Sequence, residues 1–272
     1  MIARLFLALL ILSVSACSLL PEQQDETKGW SANKFYTEAK SNLRDGNYET
    51  AIKYYELLEA RYPFGKYALQ AQIDLAYAYY RDSQHESALA AADRFIRLHP
   101  EHPASAYALY LKGLVNFNRR LGFLTRYIPT DTSQRDPGAA LDSYKDFAEL
   151  VRRFPNSEYA EDARKRMIYL RNNLAKYELH VAHYYMDRGA YLAAAKRASA
   201  VVEKFQRTPS AKDALEMMVL AYTKLGKEEL ANDARRVLEY NTQKGTFSQD
   251  PLEFEDDTFL KEAWEYLELD KN

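Results

Sequence analysis

Ala39-Lys40-Ser41-Asn42-Leu43-Arg44-Asp45-Gly46-Asn47-Tyr48-Glu49-Thr50-Ala51 and Ala76-Tyr77-Ala78-Tyr79-Tyr80-Arg81-Asp82-Ser83-Gln84-His85-Glu86-Ser87-Ala88 are two copies of one pattern. Ala39 and Ala76, Ala51 and Ala88, and Pro63 and Pro100 are each separated by 37 residues, with Gly46 and Ser83 at the turn between them. The pattern is a helix, a turn and a second helix. The small residues let the two helices approach closely. Tyr55, Leu58 and Phe95, at helical spacing, fill the seam. Proline ends the second helix because it lacks an N–H and clashes with the preceding turn. Self-similarity at a fixed period marks a solenoid.

The pattern returns three more times. Gly113 takes the place of Ala39 and Ala76, and Ser143, Phe147, Leu150 and Pro155 take those of Ala51, Tyr55, Leu58 and Pro63, with roughly eighteen residues inserted between. A fourth unit holds Ala182, Gly189, Ala194, Ala198 and Val201, with Gln206 in place of proline. The fifth has Gly226 and Ala231, each 37 residues after its counterpart, and then Leu238. The composition agrees: Gly and Pro number nine each, and Ala, Leu, Lys, Glu and Arg, which lose little rotamer freedom in helices, are plentiful. The fold expected is all-α, a superhelix of about five helix-pair units that resemble tetratricopeptide repeats. The period departs from the usual 34, and the usual first-helix Trp is replaced by Phe35, Gln72 and Leu109. Tyr159–Arg188 has no Gly or Pro and predicts one long helix joining two sets of repeats, or two helices bent near Asn172-Asn173.

The N-terminus reads differently. Leu5–Val14 is an apolar run of ten residues behind one positive charge, too short for the roughly 20 residues of a membrane span. It ends in Val14-Ser15-Ala16-Cys17, which resembles the lipobox of bacterial lipoproteins. The resemblance implies cleavage after residue 16 and lipidation of Cys17, the chain's one cysteine. Several acyl chains give lasting attachment where one binds only marginally. Ser18, where inner-membrane retention uses Asp, implies the outer membrane. Residues 17–30 then read as a flexible tether, 31–156 as repeats 1–3, 157–240 as the long helix with repeats 4–5, and 241–272 as an acidic tail. With its cysteine lipidated the chain has no disulfide, so packing supplies the stability. A net charge of −2 does not point to nucleic acid.

In such an array the first helix of each unit usually lines an inner groove. The register places Tyr36, Leu43, Arg44, Ile73, Tyr77, Tyr80, Arg81, Tyr107, Tyr110 and Phe117 there. Most of the chain's 22 tyrosines are needed as seam residues, but several of this set would face the groove. Amphipathic rings suit an extended peptide, and Arg44 and Arg81 suit a carboxylate. The insertion, residues 118–136, carries positive charge and no helical period, and reads as a functional loop or a packed Ω-loop. The tail from residue 245 holds nine acids against Lys261 and Lys271; Phe259, Ala263, Trp264 and Leu267 would make a short amphipathic helix that caps the solenoid, docks on a partner, or is simply solvated. No pattern of catalysis or cofactor binding is present. His99 and His102 sit at a helix end, and His180 and His183 lack a third ligand for a metal.

These segments together resemble the BamD family, lipoproteins of the outer-membrane β-barrel assembly machinery. Tyr54-Tyr55-Glu56, Arg61-Tyr62-Pro63-Phe64-Gly65, Asp74–Tyr80, Arg152-Arg153-Phe154-Pro155 and Ala175-Lys176-Tyr177-Glu178 carry the likeness, over roughly residues 14–240. It implies a non-enzymatic scaffold on the inner leaflet of the outer membrane, facing the periplasm. Its implied partners are unfolded outer-membrane proteins near Tyr77, Tyr80 and Arg81, accessory lipoproteins, and periplasmic domains of the barrel subunit near Lys196 and Arg197. The other reading is a repeat lipoprotein that serves as an adaptor for peptidoglycan enzymes.

Overall fold

The computed structural model describes residues 25–125 and 137–247. The signal sequence with Cys17, residues 126–136 of the insertion and the tail beyond residue 247 lie outside the described residues.

Ten helices are present among the described residues, stacked as five consecutive pairs. They are α1 (Ala32–Arg44) with α2 (Tyr48–Arg61), α3 (Ala68–Arg81) with α4 (His85–Leu98), α5 (Ala104–Thr125) with α6 (Gly138–Arg153), α7 (Ala160–Asp187) with α8 (Tyr191–Lys204), and α9 (Ser210–Lys224) with α10 (Glu228–Gln243). Each helix packs on the next along the chain, and α1 on α3, α3 on α5 and α7 on α9 add contacts between first helices.

The turn within each pair is built one way in four units. Gly46, Ser83, Gly189 and Gly226 have φ of 79°, 61°, 73° and 65°. The next residue's N–H returns to the carbonyl five residues back: Asn47 to Asn42 (2.8 Å), and Gln84 to Tyr79, Ala190 to Tyr185 and Lys227 to Tyr222 (2.9 Å each). This closure satisfies carbonyls that a helix end leaves open. The turn between pairs repeats as well. Tyr62, His99 and Phe154, each before a proline, have φ of −133°, −133° and −129°. Phe205 stands before Gln206 and still adopts −124°, with its N–H on the Val201 carbonyl at 2.8 Å. Hydrogen bonding and packing therefore set this conformation, and proline reinforces it.

The small residues of the repeat sit in the seams. Ala39, Ala51, Ala76, Ala88, Ala182, Ala194 and Ala198 are fully buried. In the third unit Ser143 Oγ donates to the Gly113 carbonyl at 2.9 Å. The main core runs from Phe35 to Leu170, and a second begins at Ala175. Helix α7 is continuous through Asn172-Asn173 and belongs to both, which resolves the two alternatives in favour of a single helix. Arg166 on α7 is 2% exposed. Its Nε lies 2.6 Å from Asp162 Oδ2, which also accepts from Tyr110 Oη at 2.8 Å, so the buried charge is paired and hydrogen-bonded.

The termini of the array differ from what the sequence suggested. The stretch read as tether through residue 30 is pinned from Asp25 onward. Thr27 is buried, Trp30 packs on Phe35 and Tyr54, and Arg61 Nη1 donates to the Thr27 carbonyl at 2.7 Å while Nη2 pairs with Asp25. The insertion does not begin at Asn118: α5 runs on to Thr125, because no proline occurs before Pro129. At the far end, Asn232, Arg235 and Glu239 on α10 occupy the places of Ala195, Ala198 and Val202 on α8. These positions on α8 pack inward, whereas on α10 all three residues are exposed, which gives the last helix a polar outer side.

Candidate functional site: the aromatic face of the first repeats

Helices α1 and α3 bring together a cluster of tyrosines around one carboxylate. Tyr36 on α1 stacks on Tyr67 at 5.0 Å and meets Tyr55 edge-on at 6.2 Å. The hydroxyls of Tyr36 and Tyr55 both donate to Asp74 Oδ2 at 3.2 Å, and Gln70 Nε2 donates to Oδ1 at 2.8 Å. Burial pushes the Asp74 carboxyl above its ordinary range, against the opposing pull of Gln70, Lys40 and the two tyrosines. Asp74 thus ties α1, α2 and α3 together from beneath the surface.

Two turns further along α3, Arg81 Nη1 donates to Tyr77 Oη at 2.8 Å. Its guanidinium stands 5.1 Å from the Tyr48 ring and 5.8 Å from the Tyr77 ring. Burial pushes the Tyr77 hydroxyl up to about 12, so it stays protonated throughout the physiological range. Tyr80 lies 6.2 Å from Tyr77 and accepts from Asn118 Nδ2 on α5. Lys40 stands 5.7 Å over the Tyr36 ring and Lys66 5.4 Å over Tyr67. Cations set on ring faces are drawn there by the ring quadrupole.

The sequence-derived groove set divides here. Arg44 and Arg81 are exposed, and Tyr36 and Tyr80 are half-buried. Ile73, Tyr107, Tyr110 and Phe117 are between 1% and 4% exposed, and Leu43 and Tyr77 are also buried, at 5% and 8%. The expectation that all of these form an open wall is corrected for Leu43, Ile73, Tyr77, Tyr107, Tyr110 and Phe117. A first helix is enclosed by its own partner and by both neighbouring units, so only a narrow strip of it stays open. Tyr110 instead stacks on Tyr159 at 5.1 Å, and Phe117 packs on Tyr169 at 5.7 Å. Tyr67, which follows the Pro63-Phe64-Gly65 turn, joins the open strip. Its spacing from the repeat gave no signal.

In the C-terminal repeats Lys196 is exposed, while Arg197 Nη1 pairs with Glu178 Oε2 on α7 at 2.8 Å. The same pair of helices carries two exposed apolar residues that the sequence did not single out, Tyr184 (52%) on α7 and Leu192 (57%) on α8. Leu192 is one helical turn from Lys196, and Arg188 stands 4.5 Å over the Tyr184 ring. Among the described residues no group of three or more His, Cys, Asp or Glu could hold a metal ion. His102 Nδ1 accepts from the Ala104 N–H at 3.1 Å and so caps the start of α5. No helix among the described residues is long and apolar enough to cross a membrane.

The first-repeat face thus offers aromatic surface edged with cations. The chain is similar to the outer membrane protein assembly factor BamD of Neisseria meningitidis serogroup B, 48% identical over 90% of this chain and 93% of that one. It is likewise similar to the proteins of that name in Vibrio cholerae, 37% identical over 77% of this chain and 87% of the relative, and Haemophilus influenzae, 33% identical over 96% of each. Among solved structures it is similar to a tetratricopeptide repeat protein of Parabacteroides merdae, at 11% identity and a TM-score of 0.29 over 77% of this chain and 79% of that one. With the family model described as YfiO, outer membrane lipoprotein, matched over residues 29–238, the chain belongs to the BamD (YfiO) family of outer-membrane lipoproteins.

Proposed function

We propose that the chain is a lipid-anchored, non-enzymatic scaffold of outer-membrane β-barrel assembly. Cys17 carries the anchor and holds the solenoid on the periplasmic side of the outer membrane. The open strip of α1 and α3 receives segments of unfolded outer-membrane proteins. The Tyr184, Leu192, Lys196 and Arg197 face docks a periplasmic domain of the barrel subunit, with accessory lipoproteins alongside. The relatives' name, outer membrane protein assembly factor, supports the general role.

The observation that carries the substrate reading is the set of aromatic rings, each with a cation on its face, along one strip: Tyr36 with Lys40, Tyr67 with Lys66, and Tyr48 with Arg81. Rings take apolar side chains, and cations take carboxylates. The test is binding of a fluorescent, urea-unfolded barrel segment to the wild type and to Arg81→Glu. Arg81 is exposed, so the variant should keep the fold. Loss of about tenfold in affinity, equivalent to about 1.4 kcal/mol, is expected. Unchanged binding would move the substrate site off this strip.

A further inference from the structure

We propose that the Phe64 loop of the first repeat is a membrane contact, set into the lipid headgroup layer beside the anchor. This rests on the reading of Cys17 as the lipidated residue.

Three observations meet at one corner of the molecule. First, Phe64 is 91% exposed, the most exposed of the large hydrophobic side chains among the described residues. It is held in a turn between Pro63 and Gly65, whose φ is 118°, so the ring stands on a constrained backbone. Second, the chain leading from the anchor is fastened to the root of this same loop. Arg61 pairs with Asp25 and donates to the Thr27 carbonyl, and Tyr62 Oη donates to the Trp30 carbonyl at 2.8 Å. Thr27 N and Oγ1 donate in turn to Asp25 Oδ1 at 2.9 and 2.6 Å, and these bonds hold the Asp25 carboxyl below its ordinary value. Third, the surroundings are basic. Lys28 and Lys34 are exposed, and the Asp25 carboxylate is paired with Arg61.

Chain length then sets a limit. Asp25 follows Cys17 by eight residues, and eight residues of fully extended chain span at most about 29 Å. The pinned corner cannot stand farther than that from the lipid anchor, whatever the path of the intervening residues. A protruding phenylalanine among lysines, close to a bilayer, matches the chemistry of interfacial anchors: the ring enters the boundary between headgroup and acyl chain, and the ammonium groups meet phosphates. The occupant we assign is therefore the anionic lipid surface of the leaflet that holds the anchor, in preference to a protein partner. A second attachment of this kind would also fix the orientation of the solenoid, which a single tether leaves free.

The test uses the full-length lipidated chain reconstituted in vesicles of phosphatidylethanolamine and phosphatidylglycerol, as Phe64→Trp and, for comparison, Leu98→Trp. Leu98 is 60% exposed at the equivalent end of the second repeat. Fluorescence is read with acyl chains brominated near the headgroup and, separately, with iodide in solution. The account expects bromolipid to quench the Phe64→Trp signal about twofold beyond the wild type, with little change for Leu98→Trp. If the protein floats with the vesicles but bromolipid leaves Phe64→Trp unaffected and iodide quenches it, the anchor stands and the Phe64 contact is overturned. If Phe64→Trp is shielded from both quenchers only once the other assembly subunits are added, the loop is a protein contact and the proposal falls. A chain that is not lipidated and does not float overturns the Cys17 reading and, with it, this one.

Discussion

Gly113 on α5 lies so close to Phe147 on α6 that a Cβ added to the glycine would come within 2.7 Å of three carbons of the Phe147 ring. Real side chains do not approach this closely. The third unit therefore packs tighter than the first two, where Ala39 and Ala76 hold the same place. Gly113→Ala should destabilise the chain by a net of up to about 2 kcal/mol in urea unfolding: overpacking costs about 1–3 kcal/mol, against a gain of about 1 kcal/mol in helix propensity. Phe147→Leu in the same background should restore part of the loss, a coupling that a double-mutant cycle would detect.

Ser83 is the one non-glycine residue among the described residues with positive φ, at 61°. It holds the place that Gly46, Gly189 and Gly226 hold in the first, fourth and fifth units. A left-handed L-residue costs about 1–2 kcal/mol, and glycine avoids that at some entropic cost. Ser83→Gly should therefore raise stability by about 1 kcal/mol, read as a higher urea midpoint at unchanged slope. Gly189→Ala at the equivalent turn should lower it.

Stability should depend on pH through Asp74. Burial raises its carboxyl above the ordinary 3.8, so the folded state holds the proton more tightly than the unfolded chain. The stabilisation from that proton is fully present below 3.8 and is lost as the pH rises through the higher folded value. Asp74→Asn removes the titration but leaves an acceptor for Tyr36 and Tyr55, and Gln70 can turn its amide to match. The difference in stability between the variant and the wild type should grow in the variant's favour as the pH rises from 4 to 7, in parallel urea titrations. A wild type and variant with parallel pH profiles would show that Asp74 titrates as in an open chain.

Arg61 fastens residues 25–30 to the first repeat. Arg61→Met keeps the stem that packs near Phe35 and removes the donors to Asp25 and Thr27. Hydrogen exchange at Lys28 and Trp30, whose N–H groups bond to the Asp25 and Thr27 carbonyls at 3.0 Å, should quicken by about tenfold, corresponding to about 1.4 kcal/mol of lost local protection. Amides in the middle of α3 should be unaffected.

The repeat was legible because its cause is local. Close helix approach demands a small residue at one position per turn of the pattern, and Ala39, Ala76 and Gly113 show that demand at a fixed spacing. The long helix was legible because Tyr159–Arg188 contains nothing that would stop it. The open strip was not, because helical periodicity reveals which residues share a face without telling which face points to solvent once three neighbours surround the helix. Tyr107 and Tyr80 look alike in sequence, yet Tyr107 is 4% exposed and Tyr80 half-buried on the strip. The clamp on the N-terminal segment was invisible for another reason: Asp25 and Arg61 are 36 residues apart, and one long-range pair leaves no period.

The measurement that bears most directly on the assembly role is affinity purification of the membrane-extracted, lipidated chain, with quantitative mass spectrometry of the proteins retained. The account predicts a large outer-membrane barrel protein with periplasmic domains in near-equal amount, reduced by Leu192→Glu on the C-terminal face and unaffected by Arg81→Glu in the first repeats. Recovery of cell-wall enzymes in its place, or a barrel protein retained equally by both variants and the wild type, would contradict the account, the first in its function and the second in its assignment of the docking face.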